Sequence, residues 1–172
     1  GSPSIVRRSF VTHAVQDGVN LIEGNRGLHD GMDVEGSHSS AALSKLIECP
    51  VVLVQDVTKT TRSAAAFVLG SKMLDEGVNI SAVILNRVAG PRHESLVRRT
   101  IETYCGLPVV GSVPKLFEES GIPSRHLGLV MPQEESRVLE RIERLGSMVE
   151  KYLDLASLMR IAQDAKELHD EE

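Results

Sequence analysis

At 172 residues, with 41% apolar and 25% charged residues, the chain has the length and composition of one soluble globular domain with a sizeable core. Its formal net charge of −5 leaves no basic footprint for nucleic acid, and with no Trp, three Phe and two Tyr it lacks a stacking surface for bases. No apolar run approaches the roughly 20 residues that span a bilayer, no signal-peptide pattern opens the chain, and two lone cysteines make no disulfide framework, so a reduced, cytoplasmic setting is expected.

Ser4 to Gln16 places Ile5, Val6, Phe10, Val11 and Val15 at helical spacing behind Pro3, and Gly18 ends that helix. Val19, Leu21 and Ile22 then suit a buried strand of a parallel sheet that ends at Glu23-Gly24. Gly24, Gly27 and Gly31 follow within eight residues and let the backbone turn sharply beside a ligand. Glu23 has two readings there. It is a carboxylate placed to hold Mg²⁺ beside a phosphate, or a solvated acid of an ordinary βα turn. Ser39 to Ile47 reads as a helix, and Pro50 leads into a strand, Val51 to Val54, closed by Gln55-Asp56. A longer helix from Thr60 to Asp75 carries Ala64, Ala65, Val68, Leu69 and Met73 on one face and stops at Gly77. Its run of three alanines fits close helix–sheet packing.

Ile80 to Leu85 is a third buried strand, ending at Asn86-Arg87; Gly90-Pro91 breaks the chain before an amphipathic helix from Glu94 to Tyr104. Pro108 to Val113 is a fourth strand, ending at Pro114. This alternation predicts an α/β fold, a mostly parallel sheet with flanking helices and right-handed crossovers. Lys115 to Pro132 is loop-like, and Glu134 to Tyr152 and Leu155 to Leu168 read as two helices with Asp154 as an N-cap between them. The expected division is residues 1–132 for the sheet domain and 133–172 for a C-terminal helical extension.

Parallel strands end on one side, so Glu23, Asp56, Asn86 and the backbone around Pro114 are expected at a single edge, forming a cleft for a charged ligand. The Asn86 amide offers a donor and an acceptor suited to a purine edge, or it is a turn-forming Asn after a strand. His29, Asp30, Asp33, Glu35 and His38 crowd into ten residues, but their spacing fits neither a zinc site nor an EF-hand and favours a flexible polar loop. Cys49 and Cys105 have no catalytic context. Arg98-Arg99 and Arg137, Arg141 and Arg144 read as helix-surface charges paired with neighbouring Glu.

Taken in order, IEGNRGLHDG, CPVVLVQDV, RSAAAFVLG, VNISAVILNRV and RHLGLV resemble the ATP-binding domain of the cobyrinic acid a,c-diamide synthase family, a dethiobiotin-synthetase-like group of P-loop NTPases. The resemblance covers nearly all of residues 4 to 160. It implies an ATP- and glutamine-dependent amidoligase that uses Mg²⁺ and amidates the a and c carboxylates of a tetrapyrrole, cobyrinic acid or a similar one. Cobyric acid synthase and nickel-sirohydrochlorin a,c-diamide synthase are similar. By this resemblance Glu23 is the acid of the EG motif, a metal-holding and catalytic residue at the ATP phosphates. Asp30 is the catalytic acid of the GL-x-DG motif, tied to substrate or acyl-phosphate handling. Asn86 of the NR motif reads adenine beside Arg87, and Pro114, Arg125 and His126 join the cofactor-binding set.

The phosphate loop G-x-x-x-x-G-K-[ST] and the glutaminase domain with its nucleophilic cysteine are absent from this sequence. An incomplete piece is therefore expected, one that by itself neither hydrolyses ATP nor makes amides. Removing the first strand of such a sheet exposes an edge that a homodimer would cover. A reading from another class stays open: a non-catalytic α/β module that keeps this sheet and works in regulation or partner binding.

Overall fold

The computed structural model describes residues 2–115, 139–140, 142–147 and 150–168. In chain order the elements are α1 (Pro3–His13), α2 (Ser40–Leu46), β1 (Val51–Asp56), α3 (Ser63–Leu74), β2 (Ile80–Val88), α4 (Pro91–Cys105), β3 (Val109–Pro114) and α5 (Leu155–Gln163). The strands form one parallel sheet in the order β1-β2-β3. This is the α/β fold that the alternating pattern predicts, in incomplete form.

The core lies between the sheet and α3 and α4. Leu53, Val83, Leu85 and Val109 project from the strands to meet Ala64, Ala65 and Val68 of α3 and Val97 and Ile101 of α4. The small alanines let α3 come close, and α3 and α4 also pack on each other. Pro91 opens α4, where its missing N–H costs nothing. Gly106 closes that helix at a φ of 64°, a left-handed cap that glycine takes without a Cβ penalty.

The strand expected over Val19 to Ile22 does not form. These residues lie outside the sheet with their side chains exposed, and Leu21 is 93% accessible. A strand is held by its neighbour's ladder of hydrogen bonds, and β1 is the outer strand on that side, paired only with β2 among the described residues. The Asn20 side chain instead turns back to bond both the N–H and the C=O of Val15 at 2.9 Å. Glu23 therefore does not stand at a strand end, and three strand ends share the edge where four were expected.

Two further differences bear on the site. β2 continues to Val88, so Asn86 and Arg87 are inside it, at a slip in the pairing with β3 between Leu85 and Val88. Arg87 has a φ of 60°, the local kink of a bulge. The chain also returns to the sheet late: Leu153 bridges Gly111 in antiparallel fashion. Ser112 N–H donates to Tyr152 O at 2.9 Å, and Asp154 N–H to Val110 O at 2.7 Å. Gly111 makes this approach possible, because a Cβ there would collide with the Leu153 side chain. Asp154 then caps α5 as expected, accepting from Ser157 N–H at 3.0 Å. Beyond α5, Lys166 reaches Glu48, just ahead of β1, at 3.0 Å. Of the helix expected over Glu134 to Tyr152, the residues described at 139–140, 142–147 and 150 are helical. Apart from Lys115, the loop expected over Lys115 to Pro132 lies outside the described residues.

Candidate functional site

The carboxyl ends of β1, β2 and β3 lie side by side, with Asp56 in register with Asn86 and Val88 with Pro114. Lys115 N–H donates to Val88 O at 3.0 Å and closes the β3 end of this edge. At the other end, Val57 N–H donates to Asn86 O at 3.0 Å. The Asp56 carboxylate accepts Thr58 N–H at 2.8 Å and lies 3.6 Å from the Arg87 guanidinium. Hydrogen bonding from Thr58, with a smaller contribution from the Arg87 charge, holds the Asp56 pKa below the ordinary carboxylate range. An acid so placed is ionised at neutral pH and half-exposed, a standing negative charge at the mouth of the edge.

Asn86 is committed on one side only. Its Oδ1 accepts the N–H of Arg87 at 2.9 Å, while among the described residues its Nδ2 donor has no partner. That fixed orientation leaves an amide N–H₂ free to meet an acceptor on a ligand. Nearby, Thr60 Oγ1 is buried and has no hydrogen-bond partner among the described residues. The loop after β1 contains a left-handed non-glycine residue, Lys59 at a φ of 55°, and the last residues of β2, just before the loop that follows it, contain another, Arg87 at 60°. Such conformations persist where the surroundings hold them, and they cluster at binding sites.

His93, which the motifs did not single out, joins those two loops. Ala89 N–H donates to its Nδ1 at 3.1 Å, and its Nε2 lies 2.6 Å from Thr60 O. The sequence signal was slight, a single histidine just after Gly90-Pro91 with nothing to distinguish it from a surface helix residue.

Glu23 and Asp30 lie in the segment ahead of α2, not at the end of a strand, and both are exposed. No described hydrogen bond or ion pair links either one to Asp56, Asn86 or Arg87. Expected to be flexible, this loop is internally bonded. Met32 N–H donates to Ser37 O at 2.9 Å, Ser37 N–H to the Asp33 carboxylate at 2.7 Å, and Ala41 N–H to Leu28 O at 2.8 Å. The Ser37 bonds lower the Asp33 pKa. His29 Nε2 anchors the loop to Ser71 O of α3 at 2.8 Å. A Cβ on Gly31 would fall 2.5 Å from the backbone of Gly36 and Ser37, so only glycine fits that crossing. Among the described residues, no three His, Cys, Asp or Glu side chains are grouped as a metal would need. Arg125 and His126 lie outside the described residues, as do Arg137 and Arg141.

The remaining candidates are structural. Burial pushes the thiol pKa of Cys49 and Cys105 up, the opposite of an activated nucleophile, and the Cys105 thiol points at Ala65 O at 3.5 Å. Arg98 does more than the surface pairing expected of it. Besides Glu94 at 3.1 Å and Glu102 at 3.8 Å, it donates to Val109 O and to Ser112 Oγ, tying α4 to the outer side of β3. No described helix is long and apolar enough to cross a membrane.

The model of a family described as "AAA domain" matches residues 7–120. Cobyrinate a,c-diamide synthase of Magnetococcus marinus is 44% identical over 168 residues, which are 98% of this chain and 36% of that protein. The Archaeoglobus fulgidus protein of the same name is 38% identical over 97% of this chain and 36% of its own length. Hydrogenobyrinate a,c-diamide synthase of Thermobifida fusca is 40% identical over 87% of this chain and 31% of its own length. The chain thus spans about a third of the length of the curated relatives it matches. No solved structure matches it.

Proposed function

The chain belongs to the AAA domain family, and from that premise we propose that it is part of an ATP- and glutamine-dependent amidoligase that forms the a and c amides of cobyrinic acid or a closely related tetrapyrrole. The names of its relatives, at 38–44% identity across nearly the whole chain, support this reading. The observation that carries the nucleotide part is the Asn86 side chain. One face is pinned to the backbone and the other presents a free donor beside the Asp56–Arg87 pair.

The residues present fit the groups such an enzyme requires. The Asn86 Nδ2 donor suits a ring-nitrogen acceptor of adenine, and the Arg87 guanidinium suits an anionic phosphate. Glu23, an exposed carboxylate in a glycine-rich loop, is the residue assigned to Mg²⁺, a hard cation that takes oxygen ligands. Bound there, the ion would offset charge on the phosphates. Asp30, whose N–H closes a turn on Gly27 O at 3.0 Å, is assigned to the substrate carboxylate, and Pro114, Arg125 and His126 to the remaining rim of the nucleotide site. In the proposed reaction a carboxylate oxygen of the substrate attacks the γ-phosphorus, ADP leaves, and ammonia drawn from glutamine displaces phosphate from the acyl phosphate. Residues 1–132 then form the nucleotide-handling unit and 133–172 its helical extension. The protein works in the cytoplasm, and a homodimer is its proposed assembly, with β1 as the outer strand available to a second copy.

This chain contains no G-x-x-x-x-G-K-[ST] loop, so alone it is expected to bind Mg-ATP weakly and to turn over neither ATP nor amide. Calorimetric titration of Mg-ATP into the chain and its Asn86→Ala variant tests the reading. Weak binding that disappears in the variant supports it. Equal binding by both proteins removes the adenine role from Asn86, and steady ATP hydrolysis by the chain contradicts the assignment of catalysis to a larger protein.

A further inference from the structure

We infer that His93 is the positioning residue of this edge: its imidazole locks the loop after β1 to the loop after β2, and so sets how Asp56 stands against Asn86 and Arg87. The bonding pattern dictates the tautomer. A backbone N–H can only donate, so the Nδ1 facing Ala89 at 3.1 Å must offer a lone pair. A carbonyl can only accept, so the Nε2 facing Thr60 O at 2.6 Å carries the proton. A neutral imidazole presents an acceptor and a donor from two corners of one rigid ring. Lysine and arginine have no acceptor, and an asparagine or glutamine presents both atoms from the same end. The demand here, a donor from one loop and an acceptor from the other, is met by histidine.

The clamp lies next to the site on both sides. Thr60 follows the left-handed Lys59, and Ala89 lies two residues beyond the left-handed Arg87. Both conformations need external support to persist. The ring is carried on the first turn of α4, which is anchored in the core through Val97 and Ile101. Helix packing is thereby transmitted to the two loops. Together with the bond from Val57 N–H to Asn86 O at 3.0 Å, the imidazole closes a frame around the Asp56–Arg87 pair.

What this frame holds rests on the nucleotide reading above; the clamp itself does not. The test therefore reads both. Nitrogen NMR of the ring in the full chain should show Nε2 protonated and Nδ1 bare. H93A should speed amide hydrogen exchange at Ala89 and Arg87, and should weaken Mg-ATP binding by about tenfold, the worth of roughly one hydrogen bond, with the circular dichroism unchanged. H93Q, which keeps a donor for Thr60 O, should recover part of that affinity, whereas H93L should not. If H93A fails to fold, H93Q against H93L makes the same comparison. A ring protonated on Nδ1, or H93A and H93L binding Mg-ATP as tightly as the parent, would overturn the inference. If the parent chain binds no Mg-ATP, the nucleotide reading is what falls, and the exchange rates decide the clamp: unchanged exchange in H93A overturns it, and faster exchange upholds it.

Discussion

The carboxyl edge of β1 and β2 and the glycine-rich loop ahead of α2 carry similar residues and are held in different ways. At the edge, bonds cross between elements: Val57 N–H donates to Asn86 O backbone to backbone, the His93 ring bonds both Thr60 O and Ala89 N–H, and the Asp56 carboxylate accepts Thr58 N–H beside them. The loop from Gly27 to Ser39 is held chiefly by bonds within itself and by glycines that let its two arms cross. The first is a frame fixed by the fold, where small errors of position in one element move the other. The second is a closed unit docked at few points, among them His29 on Ser71 and Leu28 on Ala41. Binding groups that must keep a set spacing belong in the first kind of structure.

This contrast can be broken at graded strength. Leu85, fully buried between β2 and the helices, should cost about 2–5 kcal/mol on truncation to alanine, whereas Leu21→Ala, in the segment that forms no strand, should stay within about 0.5 kcal/mol. Urea unfolding of both variants checks this, and equal losses would mean that residues 19–22 are packed in solution. Gly31→Ala should come next, at about 1–3 kcal/mol, because its Cβ meets backbone and not a yielding side chain. Its effect should be confined to the loop, with the amide signals of Asp56 and Asn86 unmoved; a shift at those residues would show that the two regions are coupled.

A smaller effect concerns acid. The folded-state pKa of Asp56 is depressed, so its contribution to stability is present above the ordinary carboxylate range and is lost as pH falls through the folded value. Asp56→Asn should therefore flatten the acid limb of the stability–pH curve and leave the neutral limb parallel to that of the parent. Loss of slope near neutral pH would contradict the assignment.

Much of this fold was legible because the three strands are short apolar runs bounded by Pro, Gly or Asn, and the helices between them have clear apolar faces. The Asp154 cap was legible for the same local reason. The alignment of Asp56, Asn86 and Pro114 followed from the rule that parallel strands end together. What escaped depends on partners distant in sequence. Val19 to Ile22 has a strand's composition but pairs with no strand among the described residues, and composition alone does not carry that information. The bridge from Leu153 to Gly111 joins residues 42 apart in number, and only the glycine hints that something comes close. Arg98 looked like a surface charge because its Glu partners are local, while Val109 and Ser112 lie on another element. His93 escaped for the same reason: its meaning lies in Thr60, 33 positions away.

The most direct test of the central claim is to follow the backbone amide signals of the chain while Mg-ATP is added. Binding at the sheet edge should move the signals of residues 56–60 and 86–89 together and leave α1 and the start of β1 unchanged. Shifts centred on α1 or α5, with residues 56–60 and 86–89 silent, would place the nucleotide elsewhere and contradict the account.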